Sequence, residues 1–176
     1  MTLVVEDGTG IIGAESYASV AEVSAYWGKR PHDPLATSWS DGSAANQEGA
    51  LREATVFLDA NYGGRYRGIR ASYSQGLEWP RYELDDSGDK VAVKDRDGNE
   101  LPDLPAQLKS ATAELAVRAL SERLVIEPSS EGVIGREKVG QVETEYAVAA
   151  AGAKSFASVD GILSQIIGAS ANWYWR

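Results

Sequence analysis

The chain has 176 residues, of which 43% are hydrophobic and 24% charged, and a formal net charge of −9. That length suits one domain with an appendage and is enough to bury a real core. The absence of cysteine excludes a disulfide framework, a thiolate nucleophile and a cysteine-ligated metal, and the acidic balance argues against a broad phosphate-gripping surface.

The opening MTLVVEDGTG lacks the basic-then-apolar pattern of an export signal. No run approaches the roughly 18 apolar residues of a membrane span, so the expectation is a protein used without export or membrane contact. Residues 2–5 read as a short strand, followed by Gly8, Gly10 and Gly13 in GxGxxG spacing. A dinucleotide fingerprint requires a helix to begin inside that motif and an acid about 20 residues further on. Here the helix start comes later, at the capping box from Ser19 to Glu22, and the region further on reads GKRPHDP. Residues 1–18 are therefore expected to form a flexible leader.

Val20, Val23, Tyr26 and Trp27 predict a short amphipathic helix stopped by Gly28 and Pro31. His32, the only histidine, stands between Pro31 and Pro34 in what reads as a polar loop running through Trp39 to Ser43. With no second histidine it is an incidental loop residue and not a relay or metal ligand. A second helix is predicted from about Ala44 to Asn61, with Ala50, Leu51, Ala54, Phe57 and Leu58 at helical spacing and Gly63 and Gly64 ending it.

The stretch from Gly63 to Arg81, GGRYRGIRASYSQGLEWPR, is the least ordinary part of the chain. Arg65, Arg67, Arg70 and Arg81 stand against the single acid Glu78, a local +3 that leaves −12 for the rest. Tyr66, Tyr73 and Trp79 interleave with these arginines, and Pro80 biases Trp79 away from helix. An extended arm is predicted over residues 63–82, suited to a flat or acidic partner because guanidinium forks and amphipathic rings give contact area at low entropy cost.

Two charged extended pieces follow over residues 83–101, joined by the hairpin signal Asp97–Gly98. Asp95, Asp97 and Asn99 imitate the opening of a calcium loop, but its positions six and twelve hold Glu100 and Ala106 where glycine and a bidentate glutamate are required. The longest helix is predicted from about Ala106 to Leu124, with Leu108, Leu115, Val117 and Leu120 in a wide apolar arc and Glu114, Arg118 and Glu122 opposite. Pro128 to Gly132 reads as a linker. Beyond it, Val142, Thr144, Tyr146 and Val148 alternate along a strand from Lys138 to Val148, which needs a partner strand from this chain or another. Ser158 is expected to cap a last helix striped by Val159, Ile162, Leu163, Ile166 and Ile167. Trp173, Tyr174, Trp175 and Arg176 end the chain and are expected to dock on the core or on a partner.

The expected architecture is thus mainly α: a small bundle of about four helices over residues 19–127, with the arm, a β-hairpin and a C-terminal β-strand appendage over residues 128–176. No cofactor is expected. Nucleophile–base pairs, metal spacings, paired carboxylates and phosphate loops are all missing in convincing form, which favours a binding or structural protein over an enzyme.

In order, the pieces ESYASVAEVSAYW, ALREAT, GRYRG, QGLEWPR and the Ala-rich helix ending in AVRAL resemble phage proteins described as head-to-tail connectors or adaptors. Many of these also carry the label of DnaT-like single-stranded DNA-binding proteins. The connector resemblance implies a structural virion protein in the neck, assembled in the host cytoplasm as a homo-oligomeric ring, a dodecamer, between portal protein and tail or tail-terminator protein. Double-stranded DNA would pass through it without specific binding. On that reading Arg65, Tyr66, Arg67, Arg70, Tyr73, Gln75, Trp79 and Arg81 form one subunit or partner interface, joined by Val142, Thr144, Tyr146 and the terminal Trp173, Tyr174, Trp175 and Arg176. The alternative is single-stranded DNA binding in replication, for which Arg65, Tyr66, Arg67, Arg70, Tyr73 and Trp79 have the basic and stacking groups that such a groove uses.

Overall fold

The computed structural model describes residues 2–124, 136–139, 142–145 and 155–168. They fall into two compact units, one built from residues 2–124 and 156–168, the other lying within residues 125–155. The first unit holds helices α1 (Val20–Gly28), α2 (Pro34–Ser40), α3 (Ala44–Tyr62), α4 (Ala106–Ala119) and α5 (Ala157–Leu163), with strands β1 (Ile69–Arg70), β2 (Arg81–Leu84) and β3 (Lys90–Ala92). The fold is mainly α with a small antiparallel sheet, as the helical periodicities predict. No helix among the described residues is long and apolar enough to cross a membrane.

Helix α1 begins at the predicted capping box: Ser19 Oγ accepts from Glu22 N, and Glu22 Oε2 accepts from Ser19 N at 2.8 Å. Its apolar side carries Trp27 against α4, where the indole Nε1 donates to Ala113 O at 3.2 Å and Tyr26 Oη donates to Glu114 Oε1 at 2.7 Å. Helices α3 and α4 pack on each other through Leu51, Ala54, Leu58, Leu108, Leu115 and Ala116, all buried. The alanines permit the close approach, and truncating one of those leucines would cost about 2–5 kcal/mol through lost transfer energy and the cavity left behind.

Five expectations are corrected. Residues 1–18 are not a loose leader: Val5 bridges Ser16, Tyr17 and Ala18 are fully buried, and the Glu6 carboxylate accepts from Gly8 N, Gly10 N and Ile11 N at 2.8–2.9 Å. The glycine motif does make an anion-cradling turn, with Gly8 and Gly10 at positive φ, and the anion it holds is its own side chain. The supposed loop around His32 contains α2, because Asp33 caps it through Leu35 N and Pro34 sits at the first helical position, where its missing N–H costs nothing.

The single strand expected over residues 138–148 is a hairpin in the second unit, β4 (Arg136–Val139) against β5 (Val142–Glu145), in the register Val139↔Val142 and Glu137↔Thr144. The partner strand left open by sequence is thus the segment directly before it. Val142 and Thr144 lie in β5; Tyr146, Trp173, Tyr174, Trp175 and Arg176 lie outside the described residues. Finally, α5 belongs to the helical unit and not to the appendage. Val159, Leu163 and Ile166 are buried, Phe156 meets Phe57 edge-on at 5.5 Å, and Tyr62 Oη donates to Asp160 at 2.7 Å. Phe156 and not Ser158 occupies the N-cap position.

Candidate nucleic-acid interface

The arginine-rich stretch starts where α3 runs into a 3-10 turn over Gly63–Arg65 and ends in β2. Between them the chain turns back on itself, with Ile69 opposite Tyr82 and Arg70 opposite Arg81. Gly68 makes this possible. Its φ is +74°, and a Cβ there would lie 2.6 Å from Tyr82 O.

Trp79 is 0% exposed, joined to Pro80 by a cis peptide, and its ring meets that of buried Tyr66 at 6.1 Å. Gln75 braces the loop from inside: Nε2 donates to Leu77 O and Pro80 O, while Oε1 accepts from Ser72 N at 2.8 Å. Arg81 spends its guanidinium on the carbonyls of Arg67, Gly68 and Glu78 and on the Glu78 carboxylate at 2.8 Å. Asp59 of α3 clamps the far side, accepting from Tyr17 Oη at 2.5 Å and from Glu78 N at 3.1 Å. Burial pushes the Asp59 carboxyl up to about 6 and raises the Tyr17 and Tyr66 phenols, in each case because the charged form loses water.

Residues 63–82 are therefore not an arm leaving the bundle. Tyr66, Gln75, Trp79 and Arg81 are internal braces of their own subunit, since a ring with one polar tip, or a guanidinium among unpaired carbonyls, satisfies a folded turn as well as it satisfies a partner. What remains outward is a subset. Tyr73 is 101% exposed at the tip, Arg70 is over a third exposed with Nη1 3.7 Å from Glu78, and Arg65 and Arg67 are half-buried. Arg65 lies 5.5 Å from the Tyr62 ring centroid. The buried side-chain donors without a hydrogen-bond partner, among the described residues, all fall in this stretch: Arg65 Nε, Tyr66 Oη, Arg67 Nε, Arg70 Nε and Trp79 Nε1.

The charged pieces after the stretch fold differently from the single hairpin expected. A turn at residues 85–89 joins β2 to β3, and the predicted Asp97–Gly98 turn closes a second, smaller loop in which Lys94 bridges Glu100. Asp95 acts as a turn former: its carboxylate accepts from Asp97 N, Asn99 N and Asn99 Nδ2, which hold it below the usual carboxylate range. Sequence reasoning passed over Tyr82 and Lys90. The Lys90 ammonium lies 4.3 Å from the Tyr82 ring centroid on the sheet, and the signal that could have shown this is the alternation Tyr82, Leu84 against Lys90, Ala92.

The family model described as "Putative DnaT-like ssDNA binding protein" matches residues 1–176. The chain belongs to this DnaT-like family. No curated protein and no solved structure matches it. The whole-length match corrects the connector reading, to which none of the comparisons points. The virion ring, the portal and tail partners and the duplex-filled channel fall with it. The physical reason is visible in the loop: the limb that was to grip a neighbouring subunit is packed against the helices of its own. Of the basic and aromatic residues in the stretch, burial leaves Arg65, Arg67, Arg70 and Tyr73 at least partly exposed.

Proposed function

We propose that this chain binds single-stranded DNA as a binding protein and performs no covalent chemistry. The observation that carries the reading is the match of the DnaT-like single-stranded DNA-binding model over the entire chain. The surface supports it. The +3 stretch carries Arg65, Arg67 and Arg70, each at least partly exposed, and the fully exposed Tyr73, the phosphate-tracking charge and stacking ring that single strands require.

The acidity of the chain shapes this activity. With −12 outside the basic stretch, a duplex approaching at random meets repulsion, and only a flexible strand can follow a short basic track. Fluorescence anisotropy with a labelled oligothymidylate tests the reading directly. Saturable binding is expected, stronger than to a duplex of the same length, with log K falling linearly against log salt by about 0.7 for each phosphate neutralised. No saturable signal at low salt removes the proposal.

A further inference from the structure

The three-stranded sheet has two unlike faces. Direct partners in an antiparallel ladder share a face, so the register puts Ile69, Tyr82 and Ala92 on one side together with Leu84 and Lys90, and puts Arg70, Arg81, Glu83 and Val91 on the other. The second side faces the loop interior, where Arg81 makes its carbonyl contacts and Val93, next along, is buried. The first side is largely open: Ile69 and Leu84 are each 52% exposed, Lys90 and Ala92 are exposed, and Tyr82 between them is half-buried. The strand positions on that side hold no acid, although the chain as a whole carries −9. Beyond β3, Lys94 and Glu100 form an isolated antiparallel bridge.

We infer that this open face is where the bases of the single strand lie, with Tyr82 as the stacking ring and Lys90 as its phosphate contact. The inference rests on the single-stranded DNA-binding reading and adds to it a site on the side of the sheet opposite Arg70 and Arg81. Tyr82 presents a broad ring flanked by Ile69, Leu84 and Ala92, which supply apolar contact to a neighbouring base. Lys90, 4.3 Å from the ring centroid, occupies the place a base would take. When a base displaces it, the four-carbon stem lets the ammonium swing to the adjoining phosphate, so one cation serves both states. A duplex cannot use such a face, because its ring faces are already stacked; only an unpaired base offers one. The face thus supplies the discrimination that charge by itself lacks.

The test compares Tyr82→Leu, Tyr82→Phe and Lys90→Gln with the wild-type chain by anisotropy on a labelled oligothymidylate, with circular dichroism confirming the fold. Tyr82 lies on the open side of the sheet, so the leucine variant keeps the apolar contacts of the fold. Tyr82→Leu is expected to weaken binding about tenfold without changing its salt slope, and Tyr82→Phe to bind as wild type, because stacking uses the ring and not the hydroxyl. Lys90→Gln is expected to lower the salt slope by about 0.7, the signature of one lost phosphate contact. If the wild-type chain binds and Tyr82→Leu binds equally well, the bases lie elsewhere and only this inference falls. If the wild-type chain does not bind, both readings fall, and a protein partner for the face becomes the next candidate.

Discussion

Asp59 illustrates how one side chain ties the basic stretch to the bundle. It faces Tyr17 from the N-terminal segment and Glu78, Tyr66 and Arg70 from the stretch itself, and burial outweighs the two hydrogen bonds it accepts. Its carboxyl binds a proton more readily in the folded chain, at about 6, than at its ordinary 3.8. The stability it contributes is therefore complete below about pH 4 and lost as pH rises through about 6. Between pH 4 and 7, wild-type stability minus that of Asp59→Asn is expected to fall by on the order of 2 kcal/mol, measured by urea denaturation at each pH. A difference that stays flat with pH would show that Asp59 titrates normally. Gln75 and Arg81 carry a related lesson. Both have the chemistry of a recognition residue, and both use it on backbone carbonyls of the same stretch, Gln75 on Pro80 and Arg81 on Gly68 across the turn.

Among the elements, the β1–β2 turn is the least tolerant. Gly68 sits at φ +74° with Tyr82 O and Val93 Cγ2 inside 3 Å of where a Cβ would stand. Gly68→Ala is expected to cost about 2–4 kcal/mol in urea denaturation, from the left-handed backbone and the overlap together. Gly64→Ala, three residues from Arg67 in open space, should stay within about 0.5 kcal/mol. Equal losses at both sites would mean the turn relaxes freely. The helices α1, α3 and α4 were legible because their apolar spacing and caps are local. Helix α2 was hidden by Pro31 ahead of it and Pro34 at its start, although Asp33–Pro34 is itself a start signal. The hairpin of β4 and β5 read as one strand because the clean alternation lies in β5 and beyond, while Arg136–Val139 carries little of it.

At the scale of the molecule, charge acts in opposite directions on folding and on binding. A net −9 repels itself, so added salt is expected to raise the melting temperature by a few degrees as the screening length falls to about 8 Å near 0.15 M. The same salt weakens oligonucleotide binding by restoring counterions to the phosphates. Melting curves and anisotropy across one salt series check both trends, and parallel changes would deny that binding is carried by a local basic track. Among the described residues, the buried core lies within residues 2–124 and 156–168.

Sequence by itself determined the mainly helical class, the capped starts of α1 and α3, and the concentration of positive charge in residues 63–81. These follow from period, caps and composition, all of which act over a few neighbouring positions. Only the tertiary structure decided which arginines and rings look outward. Whether Trp79 meets a partner or its own core depends on Asp59, Tyr17 and Tyr66, residues distant in sequence, and whether Tyr82 is covered depends on the register of three short strands. Burial is a property of the packed whole, and no local pattern encodes it.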